Sequence, residues 1–297
     1  MNITIYHYTA FSPLPEKGNS AAIIFDADKL TNSQMQSIAQ VIGFNETTFV
    51  CRSSTADLRL RFFTPGHEMA LCGHATMATG VALHDQDRLQ QRDLPVSLNI
   101  ETQAGCLPVI VNKHGEQVMV TMRQLPAQFV PLEGSLLEVA DVLGLREDEI
   151  DARYPLVYGN TGIWTLLIPI RSLESFSRME PENKRFPALL QRYSHASVHP
   201  FCLETYDPLA QLHGRHFSSP FSGTREDAVT GTASGAMGAY YIEYIQRSNA
   251  AHLLIEQGFE IERDGRVSVD VERTASSIEV KIAGTATFVK AWQIEIE

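Results

Sequence analysis

"RFFTP", residues 61 to 65, leads into the glycine-rich "CGHATMATG" at 72 to 80, and the plan returns as "RHFSSP", 215 to 220, leading into "VTGTASGAMGAY" at 229 to 240. Each time an arginine opens an aromatic-rich strand, a loop follows, and a helix of small residues completes the pattern. An internal echo of this kind reads as duplication, giving two similar mixed α/β domains expected to face each other across a cleft. The expected domains are residues 1–124 and 125–286, with the closing strand 287–297 returning to the first, since nothing else there would pair its edge. The proline-bearing "RQLPAQFVPLEG", 123 to 134, is the expected linker.

Outward from these blocks, short β-rich segments alternate with a few helices. "NITIYHY", "AAIIF", "LRLRFF", "VSLNIET", "CLPVIVN" and "QVMVTM" read as strands of the first half, and "IWTLLIPI", "HLLIEQ", "RVSVDV" and "SIEVKI" as strands of the second. "TNSQMQSIAQVIG", 31 to 43, reads as a helix: Thr31 and Gln34 form a capping-box pattern, and Met35, Ile38, Ala39 and Ile42 share one face. "SLLEVADVLGL" repeats the amphipathic pattern. The fold class is therefore α+β.

With 297 residues and 44% hydrophobic content, the chain can bury a sizeable core at the length where single cores begin to divide. Its 24 basic and 35 acidic residues give a net charge of −11 with no basic stripe, so no nucleic-acid partner is expected. Cys51, Cys72, Cys106 and Cys202 never approach C-x-x-C spacing and make no disulfide framework, which fits a reducing cytoplasm. No stretch approaches the roughly 20 apolar residues that cross a bilayer, so no membrane partner is expected either.

"GFNETTFV", 43 to 50, poses the chemical question. Gly43 can close a helix and Thr47 to Val50 favour an extended chain, which leaves Glu46 as a carboxylate needing a partner or a task. The small-residue helices leave unpaired backbone N–H groups at Gly73 to Thr76 and at Gly231 to Ser234, an anion-binding geometry. Two such openings, each contributing roughly half a positive charge, would hold a carboxylate in the cleft. His74, Glu226 and Asp227 stand beside them and with Glu46 make an acid/base set. Plainer readings exist: the small residues only allow close packing, Asp227 is a cap and His74 a structural hydrogen-bonder. Cys72 and His74 flank a helix opening and need not face one another, so Cys72 reads as packing. His195, His199, His213 and His216 have spacings compatible with metal ligation but lack an H-E-x-x-H pattern; they are expected to be solvated, as is "EDEID". No phosphate loop, nucleotide fingerprint or metal-ligand cluster is visible, so neither cofactor nor metal is expected.

"GNSAA" at 18 to 22, "NETTFV" at 45 to 50, "FFTP" at 62 to 65, "CGHAT" at 72 to 76 and "EDAVTGTASG" at 226 to 235 together resemble the PhzF family of phenazine-biosynthesis-like isomerases, in order and spacing over essentially the whole chain. The resemblance implies the diaminopimelate-epimerase-like fold, two pseudo-symmetric domains each wrapping a β-barrel-like sheet around a central helix. It implies a cofactor-independent isomerase that moves a proton on a small cyclic carboxylic acid, with Glu46 as the shuttle. His74 would contact the substrate, Asp227 would lie near its amine or hydroxyl, and Gly73, Gly231 and Thr232 would hold it. A homodimer is also implied. Ala228 stands where the family often has proline and Thr232 where serine is common, so the loop is expected to be less rigid and the substrate need not be the phenazine precursor. Two other readings remain: a non-catalytic carboxylate-binding or regulatory protein on the same fold, and a racemase with two opposed thiolates. Against the racemase stands the lack of a cysteine in "EDAVTGT".

Overall fold

The computed structural model describes residues 2–89, 92–222 and 224–296; Glu297, the end of the expected closing strand, lies outside the described residues. The chain divides into two compact units, Met1–Arg123 with Ala283–Glu297, and Gln124–Ile282.

The first unit contains strands β1 (Asn2–Ala10), β2 (Asn19–Ile24), β3 (Thr47–Cys51), β4 (Leu58–Phe63), β5 (Glu68–Met69), β6 (Val96–Thr102), β7 (Gly105–His114) and β8 (Gln117–Arg123). β1 lies antiparallel to both β2 and the closing strand Ala286–Glu295. From β2 the sheet runs to β3 in parallel, to β4 antiparallel and to β6 in parallel, then through the β6–β7–β8 meander. β6 alternates buried and open positions, as a strand with one face on a core should.

That core is helix α2 (Gly73–Asp85), whose residues 74 to 83 are all buried. A helix built of small and apolar residues all round has no preferred outer stripe, and its stable place is inside the sheet. Gly80 sets how close the sheet comes: a Cβ there would stand 2.7 Å from Val120 Cγ2. Outside the sheet, α1 (Asn32–Ile42) carries the expected capping box of Thr31 and Gln34 and buries Met35, Ile38 and Ala39.

In the second unit, β9 (Gln128–Pro131) arises within the expected linker, followed by α3 (Leu136–Leu143), β10 (Val157–Asn160), β11 (Trp164–Pro169), β12 (Ser197–Cys202), β13 (Leu212–Gly214), β14 (His216–Phe217) and β15 (Glu226–Asp227). Helix α4 (Gly231–Tyr240), β16 (Ala250–Gln257) and β17 (Gly265–Arg273) complete its centre. β9, β10 and β11 are antiparallel, β12 joins β11 in parallel, and β13 joins β12 antiparallel and β16 in parallel. This sheet in turn encloses α4, which is buried at nine of its positions, Gly231, Ala233, Ser234, Gly235, Ala236, Met237, Gly238, Ala239 and Tyr240. Gly238 plays the part of Gly80, with Val269 Cγ1 2.7 Å from where a Cβ would be.

The segment "EDEID" is not solvated as its charge suggests. Glu149 and Asp151 are buried. Glu149 accepts hydrogen bonds from Ser175 at 2.8 Å and Arg178 at 2.5 Å, and Asp151 from Arg153 at 2.6 Å, so partners offset the cost of burying these carboxylates. Among the described residues no helix is long and apolar enough to cross a membrane.

Candidate active site

Each unit builds the approach to its central helix from the same parts. In the first, Arg61 donates from Nε and Nη2 to the two oxygens of Glu68, both at 2.7 Å, and its guanidinium lies 5.2 Å from the centroid of Phe63. In the second, Arg215 donates to the two oxygens of Glu226 at 2.8 and 2.7 Å and lies 4.7 Å from the centroid of Phe217. The register agrees as well, with Phe63 opposite Glu68 and Phe217 opposite Glu226. Four residues after each glutamate stands the helix N-cap, Cys72 or Thr230, in an extended conformation. Each N-cap carbonyl accepts a bond from a hydroxyl one turn on, Thr76 or Ser234. Glu226, expected in the acid/base set, is therefore committed to Arg215 and serves the fold.

Glu46 precedes β3, and its carbonyl accepts from the Ala22 amide at 3.4 Å, continuing the β2–β3 pairing by one residue. Gly43, with φ of 70°, ends α1 and frees the chain for that turn. The pairing delivers the Glu46 carboxylate to the opening of α2. Its Oε2 lies 3.2 Å from His74 Nε2, with the side chains 15% and 9% exposed. That oxygen is buried and has no well-directed hydrogen bond.

On the other edge of the imidazole, Nδ1 lies 3.4 Å from Asn19 Nδ2 and 3.5 Å from Cys72 Sγ. Cys72 and His74 do face one another, because Cys72 sits at the extended N-cap while His74 already belongs to the first turn. Burial works against charge on His74, but the neighbouring Cys72 sulfur and Glu46 carboxylate outweigh it and hold the imidazole well above its ordinary pKa. Burial and Glu46 push the Cys72 thiol up.

Glu46, Cys72 and His74 gather donor atoms within 4.8 Å. Glu46 Oε2 lies 3.2 Å and Cys72 Sγ 3.9 Å from His74 Nε2, separations that ligands of one tetrahedral ion can have. Beside the cluster, the first turn of α2 is open at Gly73, where an added Cβ would meet nothing within 4 Å.

In the second unit, Asp227 Oδ2 accepts from Thr230 Oγ1 at 2.5 Å. Gln257, 1% exposed, clips this turn by donating from Nε2 to the Asp227 carbonyl at 2.7 Å and accepting the Thr230 amide at 3.2 Å. The Thr232 carbonyl accepts from Thr161 Oγ1 at 2.8 Å, and Gly231 is the first residue of α4. His199, His213 and His216, expected to be solvated, are buried strand residues, while His195 is exposed and stacks on Phe221. His213 is held between Glu256 at 2.9 Å and Glu260 at 3.0 Å.

The structure thus gathers Glu46 and His74 with Asn19 and Cys72 in one unit, and Asp227 with Thr230 and Gln257 in the other, beside Gly231 and Thr232. Asn19 and Thr230 sat unremarked inside quoted blocks. Gln257 carried no signal at all.

A family model described as "Phenazine biosynthesis-like protein" matches residues 8–291. The chain belongs to this family. Its fold is the diaminopimelate-epimerase-like one. The chain is 44% identical over 284 residues to the uncharacterized isomerase YfhB of Bacillus subtilis, covering 96% of each. It matches the crystal structure of a PhzF-family phenazine biosynthesis protein from Bacillus anthracis with TM-score 0.96 and 46% identity, covering 100% of both. At 26% identity, covering 94% of this chain and 96% of the other, it is similar to the trans-2,3-dihydro-3-hydroxyanthranilate isomerase of Pseudomonas chlororaphis. These relatives are named isomerases, and the family is isomerase-like.

Proposed function

We propose that the protein is a cofactor-independent isomerase that moves a proton on a small cyclic carboxylic acid, with Glu46 as the acid/base. The observation that carries this reading is the half-enclosed Glu46 carboxylate beside His74 at the opening of α2, with one oxygen lacking a directed hydrogen bond. Such an oxygen can accept a C–H proton. The electron pair of that bond delocalises into the conjugated carboxylate system, and the protonated Glu46 returns the proton at another ring carbon. Charge that builds on the substrate is met by the amides from Gly73 to Ala75 and by the His74 imidazolium, preorganised donors of a kind worth ~3 kcal/mol each, while the Thr76 amide is bonded to the Cys72 carbonyl. Asp227, Gly231 and Thr232 are the residues assigned to holding the substrate.

Thr230 stands where a second thiol would have to be, which supports a single-carboxylate proton shuttle over a two-thiol racemase. The compound named for the Pseudomonas chlororaphis relative is the first to test. Ala228 and Thr232 suggest that a different cyclic acid is turned over better. A homodimer in a reducing compartment belongs to the same reading, and light scattering checks its mass.

The deciding experiment is solvent exchange: NMR of a panel of cyclohexadiene carboxylates in deuterium oxide with wild type and Glu46→Gln. Wild type should incorporate deuterium into at least one acid. Glu46→Gln should lose ~100-fold or more of that rate with affinity changed only a few-fold. Full exchange in the variant would remove Glu46 from the mechanism. Binding without exchange in wild type would leave a carboxylate-binding protein.

A further inference from the structure

The Arg–Phe–Glu face of the two hairpins is shared, but their opposite faces differ. Cross-strand partners project to the same side. In the first unit that side carries Phe62 opposite Met69; in the second it carries His216 opposite Asp227. The duplicate has exchanged an apolar pair for a donor and an acceptor beside the opening of α4, and it has placed His199 behind them.

His199, on β12, is fully buried, and Gly214 makes room for it: a Cβ at Gly214 would stand 2.9 Å from His199 Nε2. Its Nδ1 lies 3.2 Å from His216 Nδ1, and its Nε2 is buried with no partner. Burial lowers the pKa of both rings, although Asp227 partly opposes this at His216. With both neutral, one Nδ1 must donate to the other. If His216 donated, the proton of His199 would sit on Nε2 as an orphaned buried N–H, a costlier defect than an orphaned lone pair. So His199 donates from Nδ1, His216 accepts at Nδ1, and the proton of His216 is on Nε2.

We propose that His216 is a specificity-determining residue: its Nε2–H, fixed by His199, and the Asp227 carboxylate form a donor–acceptor pair that selects a substrate bearing a neutral ring hydroxyl. This rests on the reading above that Asp227 faces the substrate. A hydroxyl donates to the carboxylate, which also accepts from Thr230 at Oδ2, and accepts from His216. An ammonium has no lone pair for His216. A bare ring carbon leaves both groups unsatisfied.

Two measurements test it. Long-range proton–nitrogen spectra of the histidine-labelled protein should show the Nε2–H tautomer for His216 and Nδ1–H for His199; the reverse, or an imidazolium at His216 near pH 7.5, overturns the assignment. Dissociation constants for 5-hydroxycyclohexa-1,3-diene-1-carboxylate and its deoxy analogue should then favour the hydroxy acid at least ~10-fold in wild type. That preference should collapse in His216→Phe, which restores the side chain of the first unit, and persist in large part in His216→Gln, whose amide keeps a donor near Nε2. An unchanged preference in His216→Phe, or no measurable binding of the hydroxy acid to wild type, also overturns the proposal. Because a dissociation constant does not require proton exchange, a failure of the proton-transfer reading shows separately, as bound acid that exchanges no deuterium.

Discussion

Cys72 is the residue most open to misreading. It touches His74 and sits at a helix opening, an arrangement that elsewhere activates thiols. Here burial and the Glu46 carboxylate act the other way and keep it protonated. Cys72→Ser should therefore cost less than ~10-fold in exchange rate, against the 100-fold or more expected when a general acid/base is lost. A deeper loss would make the thiol a proton carrier. Iodoacetamide at neutral pH should label exposed Cys106 well before Cys72, which peptide mass mapping can order. Glu46 and His74 were legible from sequence because each is a titratable residue out of keeping with its surroundings, one before a buried strand and one in a small-residue helix. Asn19 and Gln257 were not, because a lone amide in a strand looks the same whether it clips a turn or meets solvent.

At the scale of elements, the echo between halves was legible in the two glycine-rich helices, but its alignment was not. The first unit spends four residues between Phe63 and Glu68, whereas a longer loop separates Phe217 from Glu226, so the equivalence of the two glutamates emerges only from strand register. Hence a structural carboxylate passed for a catalytic one. Arg215 and Glu226 are 8% and 11% exposed, and Arg215 also donates to the Phe176 carbonyl at 2.7 Å. Removing one partner strands a buried charge, so Glu226→Gln should lower stability by about 3 kcal/mol in urea unfolding. In the proposed isomerase, exchange by the folded fraction should fall far less than in Glu46→Gln. A loss of exchange without a loss of stability would return Glu226 to the chemistry.

For the molecule as a whole, buried histidines pull the pH dependence of stability in opposite directions. His199 and His216 have lowered pKa values, so between those values and about 6.5 the unfolded chain binds protons that the native state refuses, and stability rises with pH. His74 and His213 are raised: burial opposes charge on His213, but hydrogen bonds to Glu256 and Glu260 outweigh it. Their contribution is whole below about 6.5 and is lost as pH climbs through the raised values, where the native state holds more protons than the unfolded chain. Urea midpoints should therefore peak near pH 6.5 and decline towards pH 8. His213→Gln should be less stable than wild type at pH 6, because Glu256 and Glu260 lose their cation, and its decline between pH 6.5 and 8 should be shallower. If the variant declines as steeply as wild type over that interval, the proton lost on the alkaline side is not on His213, and the carboxylates around it hold a neutral ring.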